Sequence, residues 1–282
     1  MIYFSIVVPT IKRVDEVVRL LDSLVCQTCR DFEIILVDQN PDERLVRIVE
    51  SYKSSLHIKH LRSDHHGAAR ARNTGLKLAH GKVIIWPDDD AWYPCELLTG
   101  VKAIMESSPE VHGVIGILVD EHNRTHDRWT SRKNRQATMM DAFTRAAEPV
   151  LVFRKNVVKA LGGFNEEVGT GAQTPWGAGE GTDLCVRAIQ ANYRLLLVPD
   201  LKVFHERDIV RPNDRDQLEK ARGYARGMGA VLRKNKLSLP FIVQYTFTYI
   251  RALCWNIIKH DSAHIILHKE RIAGLFEGYR NY

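Results

Sequence analysis

Short apolar, β-branched runs alternate with helical periodicity along the first third of the chain, and that alternation restricts it to an α/β architecture. Ser5-Ile6-Val7-Val8-Pro9 and Glu33-Ile34-Ile35-Leu36-Val37-Asp38 have the continuous apolar character of strands buried in a parallel sheet. Between them Val14, Val17, Val18, Leu21, Leu24 and Val25 recur at the spacing of one helix face, which completes a βαβ unit. A second unit follows, with a helix over 45–52, a strand over 57–61, a helix over 68–79 and the strand Lys82-Val83-Ile84-Ile85-Trp86. This strand runs into Pro87-Asp88-Asp89-Asp90, so three carboxylates stand at the C-terminal end of a parallel strand, the edge at which open α/β sheets bind ligands. Through residue 104 the pattern is that of a doubly wound, Rossmann-like half.

Beyond that point the pattern loosens. Strands are expected over 111–119, 150–153 and 194–198, a polar loop over 120–135, a short helix over 156–161 and a turn at Gly162-Gly163-Phe164. A glycine-rich stretch over 169–181 precedes a helix over 182–191, and further helices are expected over 214–234 and 237–258. The last of these is the most apolar part of the chain, but Gln244, Arg251 and Pro240 favour a packed or interfacial helix over one that spans a bilayer.

With 282 residues the chain can form one catalytic domain and an extension, and 45% hydrophobic with 26% charged residues excludes disorder. The net charge of +6 is unevenly spread: residues 1–200 carry 25 Lys and Arg against 26 Asp and Glu, whereas residues 201–282 carry 15 against 8. A basic C-terminal part suits phosphates or an anionic membrane surface, or it is a solvated helix face. It holds no recognised nucleic-acid-binding motif, so no nucleic acid is expected as partner. Five cysteines, at 26, 29, 95, 185 and 254, give no disulfide framework, and Met1-Ile2-Tyr3-Phe4 has no signal-peptide pattern, so a reducing cytoplasm is expected. Cys26 and Cys29 end a helical pattern, whereas a redox pair opens one.

Three adjacent carboxylates at a strand end repel one another unless a cation or a solvent shell offsets the charge. Oxygen ligands select Mg²⁺ or Mn²⁺, ions commonly shared between one or two carboxylates and the phosphates of a substrate. The alternative is an exposed Asp-rich turn.

Ser5-Ile6-Val7-Val8-Pro9, Ile35-Leu36-Val37-Asp38, Ala71-Arg72-Asn73-Thr74-Gly75 and Pro87-Asp88-Asp89-Asp90 together resemble the ordered signature of family 2 glycosyltransferases. The resemblance continues through Gly162-Gly163-Phe164-Asn165, Gly179-Glu180-Gly181-Thr182-Asp183-Leu184 and Val203-Phe204-His205, covering roughly residues 3–206. It implies a GT-A fold, a Rossmann-like mixed and mainly parallel sheet flanked by helices. Residues 1–104 would be the nucleotide-sugar half and 105–206 the acceptor half, followed by a basic, apolar, helical extension over 207–282. The activity implied is transfer of a sugar, with inversion, from a nucleotide diphosphate sugar (UDP- or dTDP-sugar) to a saccharide or lipid-linked acceptor, in cell-surface polysaccharide synthesis.

Residue by residue, the resemblance places Pro9, Thr10 and Asp38 in the nucleotide pocket, Arg72 and Asp88 beside the nucleotide, and Asp89 and Asp90 on a DXD-type metal with His205. General-base chemistry requires a carboxylate across the sugar from the diphosphate, and Glu180 and Asp183 are the candidates. The common pattern has Glu-Asp where this chain has Glu180-Gly181, so Glu180 is taken as base, with Gly179 and Gly181 lending it backbone freedom. A helix N-terminal carboxylate is the other reading of Glu180. Trp176 suits either stacking on a sugar ring or core packing.

Two rivals remain. A sugar nucleotidyltransferase needs a glycine-rich loop after its first strand, where this chain has Pro9-Thr10-Ile11-Lys12-Arg13. A non-catalytic sugar-nucleotide-binding or scaffold protein would explain Gly181 but not the retained acidic set. The arginines and lysine Arg222, Arg226, Arg233 and Lys234, with the apolar segment after them, are expected to hold the chain peripherally on the inner face of the plasma membrane.

Overall fold

Both faces of the first two strands are covered, and this fixes the layering of the molecule. The computed structural model describes residues 2–125, 133–206 and 214–282; part of the polar loop expected over 120–135 lies outside them. Strands β1 (Phe4–Thr10) and β2 (Phe32–Asp38) are buried at every position and pair in parallel, Thr10 opposite Asp38. Helix α1 (Asp15–Val25) crosses between them, burying Val17, Leu20, Leu21 and Leu24. Helix α2 (Val46–Tyr52) and strand β3 (Ile58–Arg62) follow, then α3 (Ala68–Leu78) and β4 (Val83–Ile85). Gly75 allows α3 to lie tightly on β1, since a Cβ there would meet Val7 Cγ1 at 2.3 Å.

In the second half the sheet becomes mixed. After β5 (Ala91–Trp92), α4 (Leu97–Ser107), β6 (Gly113–Val119), β7 (Arg135–Gln136) and α5 (Met139–Arg145), strand β8 (Leu151–Arg154) inserts antiparallel between β4 and β6. Helices α6 (Lys155–Ala160) and α7 (Glu180–Gln190) lead to the long β9 (Leu195–His205). The sheet order is β3-β2-β1-β4-β8-β6-β9-β5, with β7 paired to β9. The mixed sheet expected from sequence is present, and β9 extends well past the expected 194–198 because its distal part pairs with both β6 and β5.

Three helices, α8 (Arg215–Lys234), α9 (Leu239–Ile258) and α10 (Ser262–Asn281), make up the C-terminal region; the sequence reading anticipated two. Close approach of α8 and α10 depends on small residues, with a Cβ at Gly278 falling 1.9 Å from Arg226 O and one at Gly274 falling 2.3 Å from Arg222 O. Among the described residues, no helix is long and apolar enough to cross a membrane.

The expectation of a chain without disulfides is overturned. Cys26 and Cys95 are joined, their Cα atoms 5.1 Å apart. The Thr28 N–H donates to Cys95 O and Gln27 Nε2 to Pro94 O, so the end of α1 is clamped to the segment after β5, a proximity that a sequence separation of 69 conceals. The compartment argument built on unpaired cysteines falls with it.

Candidate active site

The strand edge bearing the acidic run becomes a site because β5 folds back onto the end of β9. Ala91 N–H donates to Asp88 O at 3.1 Å, closing a turn over 88–91, and β5 then sets Ala91 opposite His205. His205 Nε2 thereby lies 3.2 Å from Asp90 Oδ1, and one ligand atom from each of Asp88, Asp90 and His205 falls within 4.8 Å of the others. Asp89 faces elsewhere: its Oδ2 accepts from Thr10 Oγ1 at 2.7 Å. The metal set expected from sequence is Asp89, Asp90 and His205; the ligand atoms that cluster are those of Asp88, Asp90 and His205, and the turn directs the Asp89 carboxylate onto Thr10 at the end of β1.

Arg72 is buried and joins this cluster to α7. Its Nη2 donates to Asp88 Oδ1 at 2.7 Å and its Nη1 to Glu180 Oε1 at 3.1 Å. Glu180 opens α7 after Gly179, whose φ of 106° suits glycine. Gly181 has a different use from the expected backbone freedom. It sits in the first turn of α7, its N–H donates to Glu148 Oε1 at 2.6 Å, and a Cβ there would meet the same oxygen at 2.7 Å. Glycine at 181 makes room for a second carboxylate beside Glu180.

The electrostatics follow from the crowding. Burial, then the Glu148 charge, pushes Glu180 up to about 8, against the pull of Arg72. Burial likewise raises Asp88 to about 7 and Asp89 to about 6, with Arg72 and Thr10 respectively opposing. Burial also disfavours the Asp90 charge, but the hydrogen bond and charge of His205, with Arg13, outweigh it and keep Asp90 low. His205 is raised in turn by its hydrogen bond to Asp90. A cluster with surplus negative charge, two carboxylates and an imidazole within reach of one point, has the donor chemistry of a divalent-cation site.

These groups line a cleft of about 920 Å³. Pro9, Thr10, Arg72, Asp88, Asp89, Asp90, Glu180 and His205 reach it, as the sequence reading expected. Three other residues do not. Asp38 is enclosed at the end of β2, accepting from Asn40 N and Nδ2 and facing His60 Nε2 at 2.9 Å. Asp183 is held by Arg187 Nε at 2.8 Å, Lys234 Nζ at 3.1 Å and Asn235 Nδ2 at 2.9 Å, on the α8 side of its helix. Trp176 packs edge-on against Tyr282, with ring centroids 5.6 Å apart.

Sequence reasoning missed Glu148, which lies on a short 3₁₀ turn (Glu148–Val150) with no motif to mark it. It also missed Gln39, whose side-chain oxygen is buried in the cleft wall without a hydrogen-bond partner among the described residues, as a group awaiting a ligand would be. The adjacency of Gln39 to Asp38 was the available signal. Nor did it foresee that α5, α8 and α10 close the cleft with Phe143, Arg145, Lys220, Met228 and Arg271.

The likenesses to known proteins agree with this arrangement. An uncharacterized glycosyltransferase of Haemophilus influenzae is 36% identical over 109 residues, which are 38% of this chain and 36% of that one. The poly(ribitol-phosphate) β-N-acetylglucosaminyltransferase TarS of Staphylococcus aureus is 31% identical over 110 residues, 38% of this chain and 19% of TarS. The aligned parts therefore span about a third and a fifth of these relatives' lengths. Among solved structures, residues 1–349 of TarS with UDP-GlcNAc superpose with a TM-score of 0.63 at 17% identity, covering 99% of this chain and 92% of that one. The mannosyltransferase PcManGT from Pyrobaculum calidifontis, with GDP-Man and Mn²⁺, gives a TM-score of 0.63 at 16% identity, covering 99% and 86%. The overall fold is thus that of the GT-A enzymes. The sequence pattern of glycosyl transferase family 2 matches residues 5–159, more than half of the chain and the stretch that carries Thr10, Arg72, the acidic turn and Glu148, and the chain belongs to that family.

Proposed function

We propose that the chain is an inverting glycosyltransferase that moves a sugar from a nucleotide diphosphate sugar to a hydroxyl of a saccharide or lipid-linked acceptor in polysaccharide synthesis. The observation that carries this reading is the convergence of Asp88, Asp90 and His205 with Glu180 on one cleft, Arg72 joining the two sets. TarS binds UDP-GlcNAc and PcManGT binds GDP-Man with Mn²⁺, which supports a nucleotide-sugar donor and a divalent ion here. Residues 1–104 would take the nucleotide, with Thr10 and Gln39 at its wall, and 105–206 the acceptor, with 207–282 closing the cleft.

Asp88, Asp90 and His205 would hold Mn²⁺ or Mg²⁺, the imidazole favouring Mn²⁺. Such an ion supplies charge neutralisation for the departing diphosphate. Glu180 would accept the proton of the attacking hydroxyl; a carboxylate raised to about 8 is a stronger base than a free one and suits that task. Attack from the Glu180 side, opposite the diphosphate, is a single displacement and inverts the anomeric centre. Arg72 orients Glu180 and Asp88, and Asp89 braces Thr10. The test is thermal stabilisation by a panel of nucleotide sugars with and without Mn²⁺: one donor should raise the melting temperature only with the ion. No stabilisation by any member at millimolar concentration would overturn the reading.

Peripheral membrane contact would be made by α9. Arg222 and Arg226 are engaged by Glu270, Glu277 and Glu219, Lys234 by Asp183, and Arg233 lies over Tyr279. By contrast α9 contains no acidic residue and exposes Leu239, Val243, Phe247, Ile257 and Ile258, with Trp255 under Lys259. An apolar face with lysine at its end and an aromatic at the border fits an anionic bilayer surface. Sedimentation with anionic liposomes should be lost in a Val243→Glu, Phe247→Glu variant; equal binding by that variant would exclude this face.

A further inference from the structure

Arg13, in the loop between β1 and α1, touches the carboxylate of Asp90 at the rim of the cleft, and a guanidinium in that place conflicts with the ion that Asp90 would hold. Asp90 is contacted through three atoms. His205 Nε2 lies 3.2 Å from its Oδ1, Arg13 Nη2 donates to its Oδ2 at 3.1 Å, and Arg19 Nη2 donates to its carbonyl oxygen at 3.0 Å. A divalent ion on the same carboxylate affects the two side-chain contacts unequally. An imidazole has a lone pair to offer and can turn from donor to ligand, whereas a guanidinium has donors and no acceptor. Arg13 would be left facing a like charge across one carboxylate.

Its surroundings let Arg13 exchange that contact for another. It lines the cleft, its side chain is 41% exposed, and an ion pair between partly solvated groups holds weakly. Glu16, in the first turn of α1, accepts from Arg13 Nη1 at 2.6 Å and keeps the side chain at the rim. Lys12, with φ of 61°, donates its N–H to Asn40 Oδ1 at 2.6 Å, so the backbone that presents Arg13 is tied to the segment after β2. The carboxylates acting on Arg13 are those of Glu16, Asp90 and Asp89. Arg72 cannot take the same part, since it is buried with Asp88 and Glu180 on its two terminal nitrogens.

From this contact between Arg13 and Asp90 at the rim of the cleft, we propose that Arg13 is a donor-binding residue, which leaves Asp90 when the ion enters and pairs with the diphosphate oxygens that the ion also holds. The proposal rests on the glycosyl-transfer reading of the same cleft. An anion shared by the ion and the guanidinium turns their mutual repulsion into joint attraction, and a guanidinium matches two phosphate oxygens at once. Arg13 thereby makes ion and diphosphate bind as a unit, each tightening the other by the same factor.

The test measures that factor in the whole chain by calorimetric titration with Mn²⁺ alone, with UDP, dTDP and GDP in the presence and absence of Mn²⁺, and with the corresponding nucleosides. Mn²⁺ should tighten the best-binding diphosphate by about 5- to 150-fold in wild type, the usual range for coupled sites. Arg13→Gln should bind Mn²⁺ alone at least as tightly as wild type and the nucleoside equally, but the diphosphate with Mn²⁺ about tenfold or more weakly, because a charge-assisted hydrogen bond is lost. Arg13→Lys, which keeps the charge, should recover part of the coupling. The partial exposure of Arg13 lets both variants fold, and their melting curves check this. An unchanged coupling factor in Arg13→Gln would overturn the proposal. So would weaker binding of Mn²⁺ alone, which would make Arg13 a support of the ion site, or equal losses for nucleoside and diphosphate. Failure of all three diphosphates to bind the wild type would instead strike the glycosyl-transfer reading.

Discussion

Glu180 and Glu277 are both glutamates hydrogen-bonded to arginine, yet burial pushes Glu180 up to about 8 whereas hydrogen bonds from Arg222 and Arg226 hold Glu277 down to about 2. Burial separates the two first, and the count of partners widens the gap. In the cleft Glu180 and Asp88 share Arg72 as counter-charge, with His205 also acting on Asp88 and Glu148 adding a further negative charge to both. Between α8 and α10 two guanidinium groups serve one Glu277, and on α5 both Arg135 and Arg145 serve Asp141, which is also held to about 2 although burial opposes it. Where a carboxylate ties elements together, the fold matches it with cations. Where it faces the cleft, negative charge is left over, which costs stability and is what a metal ion would offset.

The strongest way to break this contrast is Asp90→Asn. Turnover should fall by about 10³-fold or more, as for loss of a main electrostatic stabiliser, while the protein still folds; steady-state kinetics with Mn²⁺ would decide. Glu180→Gln comes next, with kcat expected to drop by about 10²-fold or more. The wild-type rate should rise with pH towards about 8, since the base works only when deprotonated, and the variant should lose that limb. The same substitution sharpens the comparison through stability. A carboxylic acid raised in the folded state favours the fold at low pH, and that contribution disappears as pH rises from the ordinary glutamate value through about 8. Above that range the metal-free Glu180→Gln variant should therefore melt higher than wild type, and calorimetry would show it. An unchanged or lower melting temperature would contradict the idea of surplus charge.

Smaller effects are expected from packing and from the matched pairs. Gly181→Ala, whose Cβ would press on Glu148 Oε1 and Ala146 O, should cost about 1–3 kcal/mol in denaturant unfolding. Glu277→Gln should cost within about 1 kcal/mol, since its side chain is 34% exposed and solvent screens the pairs. Its pH signature runs opposite to that of Glu180. Being depressed, Glu277 contributes fully above its unfolded value of 4.5 and loses that contribution as pH falls towards about 2, so the wild-type and variant stabilities should converge in acid.

The parts of the fold legible in the sequence were those with a single physical cause. Strands β1 and β2 are buried on both faces, so every position is constrained and the apolar run shows it. The acidic turn ends such a strand. Strand direction has no such marker: β8 reads like any apolar strand, and only pairing with β4 and β6 makes it antiparallel. Side-chain direction was equally hidden. Asp183 lies one helical turn from Glu180 but is captured by Lys234 and Asn235 at the end of α8, about fifty positions away in sequence. The placing of Asp88 rather than Asp89 beside Asp90 and His205 depends on a turn closed by Ala91, and the contribution of Glu148 on the space left by Gly181. Each of these is a tertiary coincidence that residue order does not record.

The central claim is that the acidic turn and His205 bind one divalent ion that the matched carboxylates elsewhere do not. Titration of the metal-free chain with Mn²⁺ in the presence of UDP, followed by electron paramagnetic resonance of the free ion, measures this directly. Wild type and Asp183→Asn should each take up one ion per chain, and Asp90→Asn and His205→Ala should lose most of that affinity. Uptake by Asp90→Asn and His205→Ala equal to that of wild type would contradict the account.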